Sequence, residues 1–89
     1  MKHIIEENVL KLIEESSGEE VGHVVLSPIE GGVSIDETVV NPNYRGQGIA
    51  GKLMEAVVDY CKNNGLKIKA KCSYAISYFA KHPNSLYSK

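Results

Sequence analysis

One stretch of the 89-residue chain gathers the residue types from which an anion site is built: Val40-Asn41-Pro42-Asn43-Tyr44-Arg45-Gly46-Gln47-Gly48-Ile49-Ala50-Gly51-Lys52-Leu53. Asn-Pro-Asn ends an apolar run, glycines punctuate the turn, and helical periodicity begins inside it. The first amides of a helix have no internal acceptor and lie at the positive end of the macrodipole, so an exposed helix N-terminus attracts anions. Gly46 and Gly48 allow close approach of a phosphate to the backbone, and Arg45 and Lys52 add charge. A tight strand-to-helix turn with no ligand is the competing reading, because glycine before a helix is common. Two nucleotide signatures are excluded by spacing: there is no Gly-x4-Gly-Lys-Ser/Thr, and no GxGxxG with an acid about twenty residues on.

A second chemical candidate is Cys72, at a strand-to-helix junction where helix amides lower a thiol's pKa; a small packed side chain is the alternative. Cys61 falls on an apolar helix face and reads as core. Neither CxxC nor a Cys/His spacing occurs, so two reduced thiols and no metal are expected.

The elements that position these residues follow from periodicity. Strands are predicted over Val9–Glu14, Val21–Ser27 and Val33–Val40. The first two form a hairpin through Ser16–Glu20, and Pro28 stops the second. From Gly48 to Asn63, Ile49, Leu53, Met54, Val57, Val58 and Cys61 recur at helical spacing, and Asn63-Asn64-Gly65 supplies the stop. Lys67–Lys71 alternates as a short strand, parallel to the preceding one across a right-handed crossover. Tyr74–Lys81 reads as a short helix that packs Ala75, Ile76, Phe79 and Tyr78 and ends before His82-Pro83. The result is an α+β fold, an antiparallel strand meander followed by strand-helix-strand-helix, with a mixed twisted sheet and one domain over residues 1–89.

Composition sets the remaining bounds. With 43% hydrophobic and 24% charged residues the chain is expected to fold rather than stay disordered. It has no apolar run of about 18 residues for a membrane, and its acidic start is unlike a signal peptide, so a cytoplasmic location is expected. The net charge of −1 conceals a split. Residues 1–44 carry two basic and nine acidic side chains, a balance of −7, and residues 45–89 carry eight and two, a balance of +6. With one arginine and no dense basic stripe, nucleic acid is not an expected partner. Oligomeric state is not readable from this pattern.

The run Arg45-Gly46-Gln47-Gly48-Ile49-Ala50 resembles the coenzyme-A-binding motif of the GNAT superfamily of N-acetyltransferases, Arg/Gln-x-x-Gly-x-Gly/Ala, and its flanks Val40, Pro42 and Tyr44 fit the same passage. The ending Cys72-Ser73-Tyr74-Ala75-Ile76-Ser77-Tyr78-Phe79-Ala80-Lys81-His82-Pro83 resembles a minimal GNAT-like branch of small proteins. The resemblance covers roughly the last fifty residues by motif and the first thirty by strand order. It implies a minimal GNAT-like fold that binds acetyl-coenzyme A and transfers its acetyl group to an amine of a small molecule or protein. The amides of Gln47 to Gly51 would hold the pyrophosphate. The pantetheine arm would run between splayed strands and pair with backbone near Val39 and Val40.

Thioester aminolysis needs a neutral amine and a protonated leaving thiolate. Glu37, three residues before Val40, is the acid best placed as general base, with a solvated carboxylate on an exposed strand face as the alternative. The resemblance implies Cys72 as transient acetyl acceptor or proton donor, and Tyr78, or Phe79 in the other register, as the acid for the leaving sulfur, with packing as the alternative for Tyr78. His82 also fits the branch's ending. Three positions depart from that branch: Glu37 stands at its histidine, Val39 at its acid and Lys71 at its proline, while Thr38 matches. Two other readings stay open, a non-catalytic coenzyme-A-binding module and a regulatory or interaction protein whose glycine turn is only structural.

Overall fold

The computed structural model describes residues 1–87. Five strands, β1 (Lys2–Glu6), β2 (Val9–Ile13), β3 (Glu20–Ile29), β4 (Gly32–Val40) and β5 (Lys67–Ala70), form one sheet in chain order. Pairing is antiparallel through β4 and parallel between β4 and β5. A short 3-10 turn (Pro42–Tyr44) leads into α1 (Ile49–Asn64), and α2 (Ser73–Lys81) follows β5. The expected meander, crossover and closing helix are all present.

The sheet has one strand more than the sequence suggests. β1, Lys-His-Ile-Ile-Glu, has no alternation to announce it, and its pairing with β2 holds it in place. The connecting residues Glu7 and Asn8 both have positive φ, 46° and 68°, as a two-residue type I′ turn requires. Pro28 does not stop β3 either. It sits opposite Val33, and β2 covers β3 only as far as Val25, so the proline lies at a free edge that requires no N–H.

Both helices pack on one face of the sheet, with α1 touching β2 to β5 and α2. Leu10, Val24, Ile35 and Ile68 from the strands meet Ile49, Leu53, Met54, Val57 and Cys61 of α1, all at most 2% exposed. Gly22 leaves no room for a side chain under α1, since a Cβ there would stand 2.7 Å from the Val39 carbonyl oxygen and 3.1 Å from Leu53. In α2, Ala75 and Phe79 face this core four residues apart, whereas Ile76, expected to pack, is turned about 100° away and is 47% exposed. Among the described residues no helix covers the other face of the sheet, where Lys11, His23, Val25, Glu37 and Val39 stand.

Two bulges break the strand alternation. Leu12 pairs with Gly22 and Ile13 with Glu20, which leaves Val21 without a partner. Val25 pairs with Glu37 and Leu26 with Ile35, which leaves out Asp36. The Asp36 carboxylate accepts hydrogen bonds from the hydroxyls of Ser27 and Ser34, the latter at 2.9 Å. The Ser27 bond holds this carboxyl below its ordinary range; desolvation opposes the shift, and Ser34 and Lys71 support it.

The parallel pair is short. β5 matches β4 only from Gly32 to Ile35, and the amides of Lys71 and Cys72 both close on the Ile35 carbonyl, at 2.9 and 3.1 Å. The chain then turns away into α2, while β4 continues to Val40 paired with β3 on one side and with no strand on the other. The strands therefore splay, and Asp36–Val40 forms one wall of the gap.

Candidate active site

Asn41 anchors the start of the glycine turn. Its Oδ1 accepts from the Asn43 amide (2.9 Å), and its own amide and Nδ2 donate to the carbonyls of Val21 (2.8 Å) and Glu20 (3.0 Å). Gly46 and Gly48 have φ of +79° and +71°. A Cβ at either would meet nothing within 4 Å, so what they contribute is the left-handed conformation, with open space left in front of the backbone. Gly48 caps α1 without a side-chain bond, and the first helical donor is the Lys52 amide, 3.2 Å from the Gly48 carbonyl. Among the described residues, the amides of Gly46, Gln47 and Gly48 have no backbone or side-chain acceptor. Those of Ile49, Ala50 and Gly51 have none by helix geometry.

These amides open onto two adjoining grooves. One, of about 220 Å³, runs past Val40, Tyr44, Arg45, Gly46 and Ala50; the other, of about 310 Å³, lies against Ser77, Tyr78, Lys81 and His82. Gly48, Gly51 and Tyr74 line both. Arg45 thus faces the groove as its spacing suggests. Ile49 also lines the first groove, although it is 2% exposed, whereas Lys52 and Gln47 are exposed and line neither.

At the gap the ladder specifies which backbone groups are free. The Asn41 amide bonds to Val21 and the register continues in steps of two, so Val39 and Glu37 bond toward β3 and Thr38 and Val40 turn their N–H and C=O outward. Of the two residues expected to present free backbone to the gap, Val40 does and Val39 does not; the second free residue is Thr38.

Cys72 caps α2, and its Sγ donates to Thr38 Oγ1 at 3.6 Å. Desolvation pushes this thiol up. The backbone of Ala75, the Thr38 hydroxyl and the backbones of Tyr74 and Thr38 together outweigh it, so the thiol lies below its ordinary value of 9.0. The helix amides do this without closing a full capping bond. Glu37 is not brought to this pair: it is exposed and, one residue from Thr38, lies on the opposite face of the sheet.

The structure chooses between the two aromatic registers of α2. Phe79 is 3% exposed and stacks on Tyr87, whereas Tyr78 lies in the groove with Gly48 and Gly51. Burial pushes the Tyr78 phenol up from its ordinary range, with smaller contributions from Glu55 and Tyr74. Its ring stacks on His82, with centroids 4.5 Å apart, and lies 6.3 Å from Tyr74. Tyr74, which lines both grooves, and Thr38, which faces the Cys72 thiol, were given no role by motif reading. The i, i+4, i+8 spacing of Tyr74, Tyr78 and His82 was the available signal for the first.

Relatives agree with this architecture. The model of the GCN5-related N-acetyl-transferase family matches residues 11–89. A GCN5-like protein from Staphylococcus aureus superposes with a TM-score of 0.76 at 27% identity, over 98% of this chain and 87% of that one. The ribosomal-protein-S18-alanine N-acetyltransferase of Escherichia coli gives 0.68 at 17% identity, over 89% of this chain and 54% of that one. Glucosamine-6-phosphate N-acetyltransferase of Arabidopsis thaliana gives 0.55 at 27% identity, over 83% and 56%. The chain thus spans about half the length of these two enzymes. No curated protein matches it by sequence. The family match takes in all of β3 through α2, the elements that form the turn, the gap and the thiol junction, and on that breadth the chain belongs to the GCN5-related N-acetyltransferases.

Proposed function

We propose that this chain binds acetyl-coenzyme A along the α1 turn and the β4–β5 gap and transfers the acetyl group to an amine of a small molecule or protein. The observation that carries the reading is the run of acceptor-free amides from Gly46 to Gly51, facing a groove lined by Arg45 and Tyr74. A pyrophosphate fits this donor set, because it takes hydrogen bonds from backbone and needs room where a side chain would stand. The outward N–H and C=O groups of Thr38 and Val40 suit the amides of a pantetheine arm. When bound, acetyl-coenzyme A supplies the activated acyl group.

The chain's own residues have separate tasks. Tyr78, with its phenol raised, stays protonated at neutral pH and is suited to donate a proton to a departing sulfur. Cys72, more acidic than an ordinary thiol, takes or returns a proton at the gap or accepts the acetyl group transiently. Glu37, on the uncovered face, can attract a cationic amine or accept its proton. The basic C-terminal half steers a polyanion toward the turn.

A melting curve tests the binding step. Ligand at about 100 times its Kd stabilises by about 2.7 kcal/mol, a Tm rise of several degrees for a domain of this size. Gly48→Glu should abolish that rise through like charge at the phosphate site. Gly48→Asn, which tolerates positive φ, should keep the fold and part of the rise. An unchanged parent curve at millimolar acetyl-coenzyme A overturns the reading. A rise with no acetylation across an amine panel favours a non-catalytic binding module.

A further inference from the structure

The uncovered face of the sheet holds a side-chain pair with no assignment so far. His23 Nδ1 lies 2.9 Å from Glu20 Oε2, and the two side chains are 26% and 41% exposed. Residues three apart on a regular strand point to opposite faces. The bulge at Val21 removes one step of that alternation, so Glu20 and His23 share a face. Asn41 fixes the bulge from the end of β4 through its bonds to the Val21 and Glu20 carbonyls. The residue that opens the glycine turn thus also holds this dyad in place.

With Glu20 accepting from Nδ1–H, the imidazole lone pair is on Nε2, the form that takes up a proton. Val39 of β4 stands directly opposite His23, at about 5.5 Å between Cα atoms for a hydrogen-bonded pair. Since β4 is also the wall of the gap, His23 stands one strand back from it, and an acceptor amine laid across β4 on the uncovered face would lie between the two. The charged groups around the ring are Glu20 on its own strand, Lys11 directly across on β2 and Glu37 diagonally across on β4.

We propose that His23, oriented by Glu20, is the general base that deprotonates the acceptor amine, an assignment that rests on the acetyl-transfer reading above. Of the two protons that leave an ammonium acceptor, one passes to His23 Nε2 and one ends on the departing sulfur. The freed nitrogen pair forms the C–N bond as the thioester C–S bond breaks, which leaves an N-acetyl amine and the coenzyme A thiol. Glu20 is a positioning residue, and Glu37 supplies negative charge that draws a cationic amine to this face.

The test follows release of coenzyme A thiol by the full chain, His23→Gln and Glu20→Gln from about pH 6 to pH 9. Spermine and a lysine peptide serve as probe amines, and water as the acceptor that is always present. His23→Gln should lower kcat/KM about a hundredfold near pH 7, with the loss shrinking as pH rises, while its Tm rise with acetyl-coenzyme A equals the parent's. Glu20→Gln keeps an acceptor for Nδ1 and should lose about tenfold in kcat with KM close to the parent's. Parent-like rates in His23→Gln overturn the assignment. So does a parent that binds acetyl-coenzyme A but neither acetylates a probe nor hydrolyses the thioester. A parent with no Tm rise overturns the binding reading beneath it, which separates the two failures.

Discussion

The two cysteines carry the same thiol in opposite surroundings. Cys61 lies on the buried face of α1, and desolvation alone pushes it up to about 11. Cys72 also pays for partial burial, but the backbone of Ala75, the Thr38 hydroxyl and the backbone of Tyr74 reverse the sign. Burial by itself makes a thiol inert; donors aimed at the sulfur decide whether it becomes reactive. Position on the fold, not residue type, separates the core thiol from the one at the β5–α2 junction.

The largest expected effect of that difference is selectivity. Iodoacetamide at pH 8 should alkylate Cys72 at least about a hundredfold faster than Cys61 in the native protein, read by peptide mass spectrometry. Comparable rates would break the contrast. Stability at alkaline pH is the next effect. Cys61 has its folded pKa raised above the ordinary 9.0, so its contribution is fully present below pH 9 and is lost as pH rises through about 11. At two units the loss is on the order of 2–3 kcal/mol, and urea midpoints compared with Cys61→Ala between those pH values isolate it. Cys72 acts the other way, stabilising above its unfolded pKa and losing that contribution as pH falls through its lowered folded value. The smallest effect sharpens the cause: Thr38→Val removes the hydroxyl partner of the sulfur and should slow Cys72 alkylation a few-fold, and an unchanged rate would leave the backbones of Ala75, Tyr74 and Thr38 as the whole explanation.

What could be read from the sequence divides along a similar line. The glycine turn is contiguous, and its donors are backbone, so a short run from Arg45 to Gly51 was enough to locate it. The α1 face was equally legible because helical periodicity is local. Residues that meet across strands were harder, since their partners depend on register. One extra residue at Val21 brings Glu20 beside His23, and one at Asp36 resets the alternation that puts Thr38 toward Cys72 and Glu37 away from it. Neither bulge has a sequence signature. β1 went unseen for a related reason, because its two apolar residues take their meaning only from the strand beside them. Ile76 misled because a nine-residue helix offers too few turns to fix the angle of its buried stripe.

The sheet's order repeats the chain's order, and this bears on how the molecule assembles. β2, β3 and β4 each meet their predecessor across a short connection, whereas β5 reaches β4 only after the whole of α1 has been placed. Closing a loop costs more entropy the longer it is, and nearby contacts form earliest. The four-stranded meander can therefore stand before the crossover closes. The gap beside β4 is made by the last closure, which secures it over only four residue pairs.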